Sequence, residues 1–159
     1  MDINNVVENI IKIPTEFYKL RNISIYELFN KSKYCDYYNY ITENDIRNYL
    51  LNNRNYVKDW FVYSDEQRTG KGYYVVLENE KYEVGYYDGK KRNIINTYNL
   101  SQDIDACANF IKLELEYQRQ NDEYMKSNKW KYKITKIIIW LLIIFIPLLF
   151  LFILLKLIL

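Results

Sequence analysis

The sequence predicts an α+β head followed by one C-terminal transmembrane helix. Three observations predict it. Residues 137–155, IIIWLLIIFIPLLFLFILL, are nineteen apolar residues without one charge. Residues 73–98 form three short runs of β-prone residues divided by turn residues, the pattern of an antiparallel meander. Helix-capping residues at Ser24, Thr42 and Ser101 open helical stretches before and after that meander.

The head begins with two weakly helical stretches, 2–12 and 15–20, on either side of Pro14. SIYE at 24–27 matches a capping box, in which Ser24 accepts from the Glu27 amide and Glu27 reaches back. A short helix through about Ser32 follows. TEND at 42–45 repeats the signal with Thr42 as cap and acids in the first turn, and Ile46, Tyr49 and Leu50 then fall at helical spacing, giving a helix over 43–52. Segment 55–66 alternates badly as a strand. As a helix it aligns Val57, Trp60, Phe61 and Ser64, so it is assigned as helix. Trp60 and Arg68 are read as structural.

QRTGKG at 67–72 is a turn. Three strands follow at 73–78, 81–87 and 91–98, with Asn79-Glu80 as a tight turn and Asp88-Gly89 as a type I′ hairpin signal. Ser101 then caps a helix with Asp103 and Asp105 in its first turns. Its stripe of Ile104, Cys107, Ala108, Ile111 and Leu115 puts Cys107 in the core, as a small apolar group and not a reactive thiol. Cys35 falls in a loop-like stretch. In order, this is helices, a three-stranded sheet and a helix packed on it.

The apolar run would be roughly 28 Å long as a helix, about the hydrocarbon thickness of a bilayer. Pro147 is tolerable within such a helix. Lys126, Lys129, Lys131, Lys133 and Lys136 precede the run with no acid between them, and Trp130, Tyr132 and Trp140 sit at the expected interface. These eight residues are the expected membrane-interface set, with anionic headgroups as their partner. The positive-inside rule keeps the lysines and everything before them cytoplasmic. The N-terminus is acidic and lacks the apolar stretch of a secretory signal. The expected organisation is a cytoplasmic head over 1–120, a basic neck over 121–136, and a transmembrane helix over 137–155 that anchors the chain to residue 159.

Composition narrows the function. All twenty acidic residues precede residue 126, where only sixteen of the twenty-two basic ones lie, so the head carries a net charge of −4. An acidic head argues against nucleic acid as ligand. The absence of histidine removes His-based triads and the usual zinc ligands, and two cysteines are too few for a structural zinc site. Neither GxGxxG nor GxxxxGK[ST] occurs, and no paired-carboxylate motif supports a membrane enzyme. The expectation is therefore no catalytic residue, no cofactor and no metal. Tyrosine, at eighteen residues, supplies adhesive surface, although the codon bias of an AT-rich genome would also produce it.

The runs SIYELFNKS, ITENDIRNYL, VKDWFVYSDEQRTGKGYYV, KYEVGYYDGKKR and DACANFIKLELE span residues 24 to about 117, about 60 % of the chain. In cadence they resemble small α+β immunity-type proteins of bacterial polymorphic toxin systems. The C-terminal apolar run departs from the soluble form usual in that family. The resemblance implies binding without catalysis: a protein that covers the active or membrane-insertion surface of a cognate toxin. An acidic head suits a basic toxin through electrostatic steering. Asp65, Glu66 and Asp88 are then the expected contact residues, against the plainer reading of solvated turn residues. The alternative expectation is a tail-anchored adaptor or regulator of a membrane complex, of viral or eukaryotic origin.

Overall fold

A computed structural model describes residues 2–20, 22–66 and 70–158. The side chains of Asp65, Glu66, Met125, Lys129, Lys131, Tyr132 and residues 139–158 lie outside that description. Two compact units divide the chain, Met1–Arg119 and Gln120–Leu159. The first unit contains α1 (Ile3–Ile11), α2 (Ile13–Lys19), α3 (Ile25–Ser32), α4 (Tyr34–Tyr37), α5 (Glu43–Asn52) and α6 (Asn55–Glu66). These are followed by β1 (Gly72–Glu78), β2 (Lys81–Tyr87), β3 (Arg92–Asn99), a 3-10 turn (Leu100–Gln102) and the start of α7 (Asp103–Ile158).

Local signals explain the helix boundaries. Asp2 caps α1. Pro14 sits in the first turn of α2, where its missing N–H costs nothing. Both expected capping boxes form: Ser24 with Glu27 opens α3 and Thr42 with Asp45 opens α5. Lys33, at φ 65°, ends α3 in the left-handed conformation and turns the chain directly into α4. Cys35 therefore lies in a short helix, half-buried, and not in a loop. At the far end Ser101 lies within a 3-10 turn, where the Asn99 amide donates to Gln102 Oε1 at 3.0 Å, and α7 starts at Asp103.

The sheet is the expected meander, order β1-β2-β3, antiparallel throughout. The left-handed turn is at Asn79 and Glu80, φ 49° and 61°, and joins β1 to β2 in two residues as a type I′ turn requires. Between β2 and β3 only Gly89 has positive φ, at 95°, and the loop occupies residues 88–91. The Asp88 carboxylate draws that loop together by accepting the amides of Lys90 (2.8 Å) and Lys91 (3.0 Å), so the expected two-residue hairpin is replaced by a longer one. Val84 faces Asn96 while Gly85 faces Ile94, which leaves Ile95 as the extra residue of a β-bulge. Gly85 is obligatory here: a Cβ would stand 2.5 Å from the Asn93 carbonyl oxygen and 2.5 Å from the Tyr74 hydroxyl.

One face of the sheet joins the core. Val75 and Val84 pack with Val6, Ile10, Ile11, Phe29, Ile46, Leu50, Trp60, Phe110 and Ile111. α1 packs on α3 and α5, α2 on α3 and α6, and α6 lies against β1. Trp60 is 1 % exposed, and its indole N–H donates to the Ile11 carbonyl at 3.0 Å, which ties α6 to the end of α1. The stripe Ile104, Cys107, Ala108, Ile111 and Leu115 is buried as expected. Burial also pushes the Cys107 thiol pKa up, with Asp103 adding to it, as befits an inert core cysteine.

The expected fold class is corrected at its C-terminus. Among the described residues no helix is long and apolar enough to cross a membrane. The described side chains of α7 end at Ile138, and Asp122, Glu123, Lys126, Lys133 and Lys136 interrupt any apolar run before that point. From residue 139 onward, the run that prompted the expectation lies outside the described side chains. α7 runs from Asp103 to Ile158.

Candidate protein-binding surface

Chemistry in this head would have to come from Tyr, Lys, Glu and Asp, and the structure shows what those groups do. Tyr34, from α4, donates to Glu116 Oε1 at 2.5 Å. Lys112 donates to the Tyr34 hydroxyl (2.9 Å), the Ile41 carbonyl (2.9 Å) and Glu116 (3.5 Å), and Arg119 donates to Glu116 Oε2 at 2.9 Å. An ammonium has three donors, and all three of Lys112 are engaged. The Arg119 guanidinium also lies 4.4 Å from the centre of the Tyr38 ring. Burial and the Glu116 charge push the Tyr34 pKa up. Burial pulls Glu116 up as well, but hydrogen bonds from Tyr34 and Arg119 and the charges of Lys112 and Arg119 outweigh it, so its pKa falls. The cluster clamps α4 to α7.

Two further clusters work in the same way. The Tyr63 hydroxyl (3.2 Å) and the Gln118 amide (2.8 Å) both donate to Glu114 Oε1, joining α6 to α7. Burial still raises the Glu114 pKa against those two bonds. Asn96 of β3 donates to Asn109 (3.0 Å), which donates to Glu43 of α5 (2.8 Å). Arg47–Asp105 and Arg54–Asp103 fasten α5 and the following turn to the first turn of α7. No group of three or more His, Cys, Asp or Glu side chains with metal-binding geometry occurs among the described residues.

The two edges of the sheet differ. Ser64 of α6, fully buried, accepts the Val75 amide at 2.8 Å and donates to the Val75 carbonyl at 3.0 Å. Both backbone groups of Val75 therefore point away from β2, and a serine closes the β1 edge. In an antiparallel ladder these directions alternate along each strand. Val84, opposite Val75, turns to β3; Asn96, opposite Val84, turns to β2; Thr97 turns outward. The same phase turns the Asn99 amide outward, where Gln102 Oε1 caps it at 3.0 Å. Before that cap, no described side chain bonds to the outer backbone edge of β3. The strand is exposed along its length apart from half-buried Tyr98, with Ile94 at 54 % and Ile95 at 46 % exposure. It contains no proline, and its one charge, Arg92, bonds to Glu78 at 2.8 Å.

Of the sequence-expected contact residues, Asp88 alone has a described side chain. Asp88 is exposed and binds the amides of its own turn, which lower its pKa: first Lys91, then Lys90. Asp65 and Glu66 end α6 with side chains outside the described set, as is Arg68 altogether. Of the expected membrane-interface residues, Lys126 is exposed and bonds to Asp122, Trp130 is 68 % exposed, and Lys133 and Lys136 are exposed. Lys129, Lys131, Tyr132 and Trp140 lie outside the described side chains. The exposed edge was available to sequence reasoning through one signal, a terminal strand of a meander without proline or internal lysine, whereas the bulge at Ile95 that interrupts it was not. No protein-family model, curated protein or solved structure matches this chain.

Proposed function

We propose that the head is a non-catalytic protein-binding module whose role is to neutralise a cognate bacterial toxin. One observation carries it: the inward-facing ionisable side chains bond to one another across elements, so they hold the head together and are not presented to a substrate. Lys112, Glu116, Tyr34, Tyr63 and Glu114 all serve in this way. The net charge of −4 over residues 1–125 supports a basic partner, drawn in by long-range attraction. The resemblance of residues 24 to about 117 to immunity-type proteins supports a toxin as that partner.

Co-expression tests the proposal. The chain is produced in cells together with the toxic domain encoded by a neighbouring gene. Restored growth is the expected result. Cells that die at the same rate with and without the chain, at matched expression, refute it.

A further inference from the structure

Between Lys129 and Ile138, α7 carries an apolar stripe bordered by lysines. An α-helix turns by about 100° per residue, so Trp130, Ile134, Ile137 and Ile138 share an arc of about 100°. Lys129, Lys133 and Lys136 recur within about 60° of one another along one border of that arc, and Lys131 stands at the other border. We propose that this face of α7 binds a lipid surface of anionic headgroups, with the lysines at the phosphates and the apolar arc against the first part of the acyl chains. The contact goes beyond the toxin proposal and needs no helix that crosses the bilayer.

Exposure and charge both select that partner. Trp130 is 68 % exposed, Ile137 58 % and Ile138 50 %, a grouping of large apolar side chains in water that marks an interaction surface. Lys133 and Lys136 are exposed beside them. Lys126 is bonded to Asp122 and is left out of the count. No acid follows Glu123 in the sequence, so no neighbour on this stretch of the helix offsets Lys129, Lys131, Lys133 and Lys136.

The order of residue types around the helix suits a layered surface. A lysine lays its stem along apolar neighbours while its ammonium reaches outward, so lysines at both borders of an apolar arc match headgroups above acyl chains. Tryptophan favours the level between those two layers. A nucleic acid would neutralise the lysines but leave Ile134, Ile137 and Ile138 without cover. Near an anionic surface each lysine contributes about 5-fold in affinity, so removing three costs about 100-fold.

The test uses the full chain carrying Trp140→Phe, in which Trp130 is the one tryptophan besides buried Trp60. The chain is held in non-ionic detergent micelles doped with phosphatidylserine or phosphatidylcholine, each brominated near the headgroup so that contact quenches Trp130. Phosphatidylserine should bind about 100-fold or more tighter than phosphatidylcholine. Lys129→Gln, Lys133→Gln and Lys136→Gln together should cut that preference to about 5-fold, the share of Lys131. Salt at about 0.5 M should erase it in the unsubstituted helix as well, which decides the matter if the triple variant loses its circular dichroism spectrum. Equal quenching by the two lipids overturns the proposal, as does a preference that survives both the triple substitution and the salt. Glycerophosphoserine, which has no acyl chain, should leave the quenching in place; if it reverses it, the ligand is a free phosphate and not a lipid surface. Quenching abolished by a short DNA duplex at equal phosphate concentration also overturns the proposal and assigns the lysines to nucleic acid. A triple variant without the lipid preference that still protects cells leaves the toxin proposal standing.

Discussion

Ser64→Ala isolates the closure of the β1 edge. The hydroxyl is fully buried and satisfies two backbone groups of Val75, itself 2 % exposed. Alanine fits the space but leaves a buried N–H and a buried C=O without a partner. Each orphaned group costs about 1–3 kcal/mol, so the pair costs about 2–5 kcal/mol once some relaxation is allowed. That is a large share of the 5–15 kcal/mol, roughly, that holds a domain together. The melting temperature should fall by about 8–20 °C, taking about 4 °C per kcal/mol for a unit of this size. Urea unfolding followed by circular dichroism measures the global loss. Hydrogen exchange at the Val75 amide measures the local one, and that amide should exchange markedly faster in the variant. A loss below about 0.5 kcal/mol, the range of a neutral surface change, with the Val75 amide still protected, would show that the serine does not seal the edge.

Other substitutions test other parts of the account. Gly85→Ala places a methyl group 2.5 Å from the Asn93 carbonyl oxygen, which is backbone and cannot swing aside, so about 1–3 kcal/mol of stability should be lost in the same urea assay. Lys33→Gly relieves a left-handed residue at the α3–α4 junction and should raise stability by about 1 kcal/mol, read as a higher melting temperature. Glu114 has a folded pKa above the ordinary 4.5, raised first by burial, so the native state holds its proton longer than the unfolded chain. The stabilisation from this proton is complete below the unfolded value and is lost as pH rises through the folded one. Glu114→Gln keeps an acceptor oxygen without the charge, and its stability relative to wild type should therefore climb from about pH 4 to about pH 7. A flat difference across that range would place Glu114 in a more solvated setting.

The local code was legible wherever a residue acts on its own neighbours. Ser24, Glu27, Thr42 and Asp45 cap their helices as their spacing requires, and the stripe on α7 is buried because 3.6-residue periodicity leaves it no other face. Turns were less legible. Asp88-Gly89 resembles a two-residue hairpin, yet the Asp88 carboxylate reaches two amides further on and lengthens the loop, while Asn79-Glu80 adopts the left-handed pair without a glycine. The candidate surface was least legible. Ser64 was assigned to a helix stripe by spacing, but its bonds to Val75 depend on how α6 meets β1, which sequence spacing does not encode. The same is true of Tyr34 and Glu116, 82 residues apart in the chain and joined by one hydrogen bond. The expectation of a membrane-crossing helix rested on the apolar run with its lysine and aromatic flank; among the described residues no helix is long and apolar enough to cross a membrane, and from residue 139 onward the run lies outside the described side chains.

The central claim is that this head acts by occupying a partner, without turnover. Titrating the purified chain into a fixed amount of the neighbouring toxic domain, with the toxin's own activity as readout, tests it most directly. The account predicts that activity falls linearly and ends at a fixed stoichiometric ratio, and that added salt weakens the inhibition as an acidic head on a basic partner requires. Activity that is untouched at excess chain, or abolished by a small fraction of the toxin's molar amount, would contradict it.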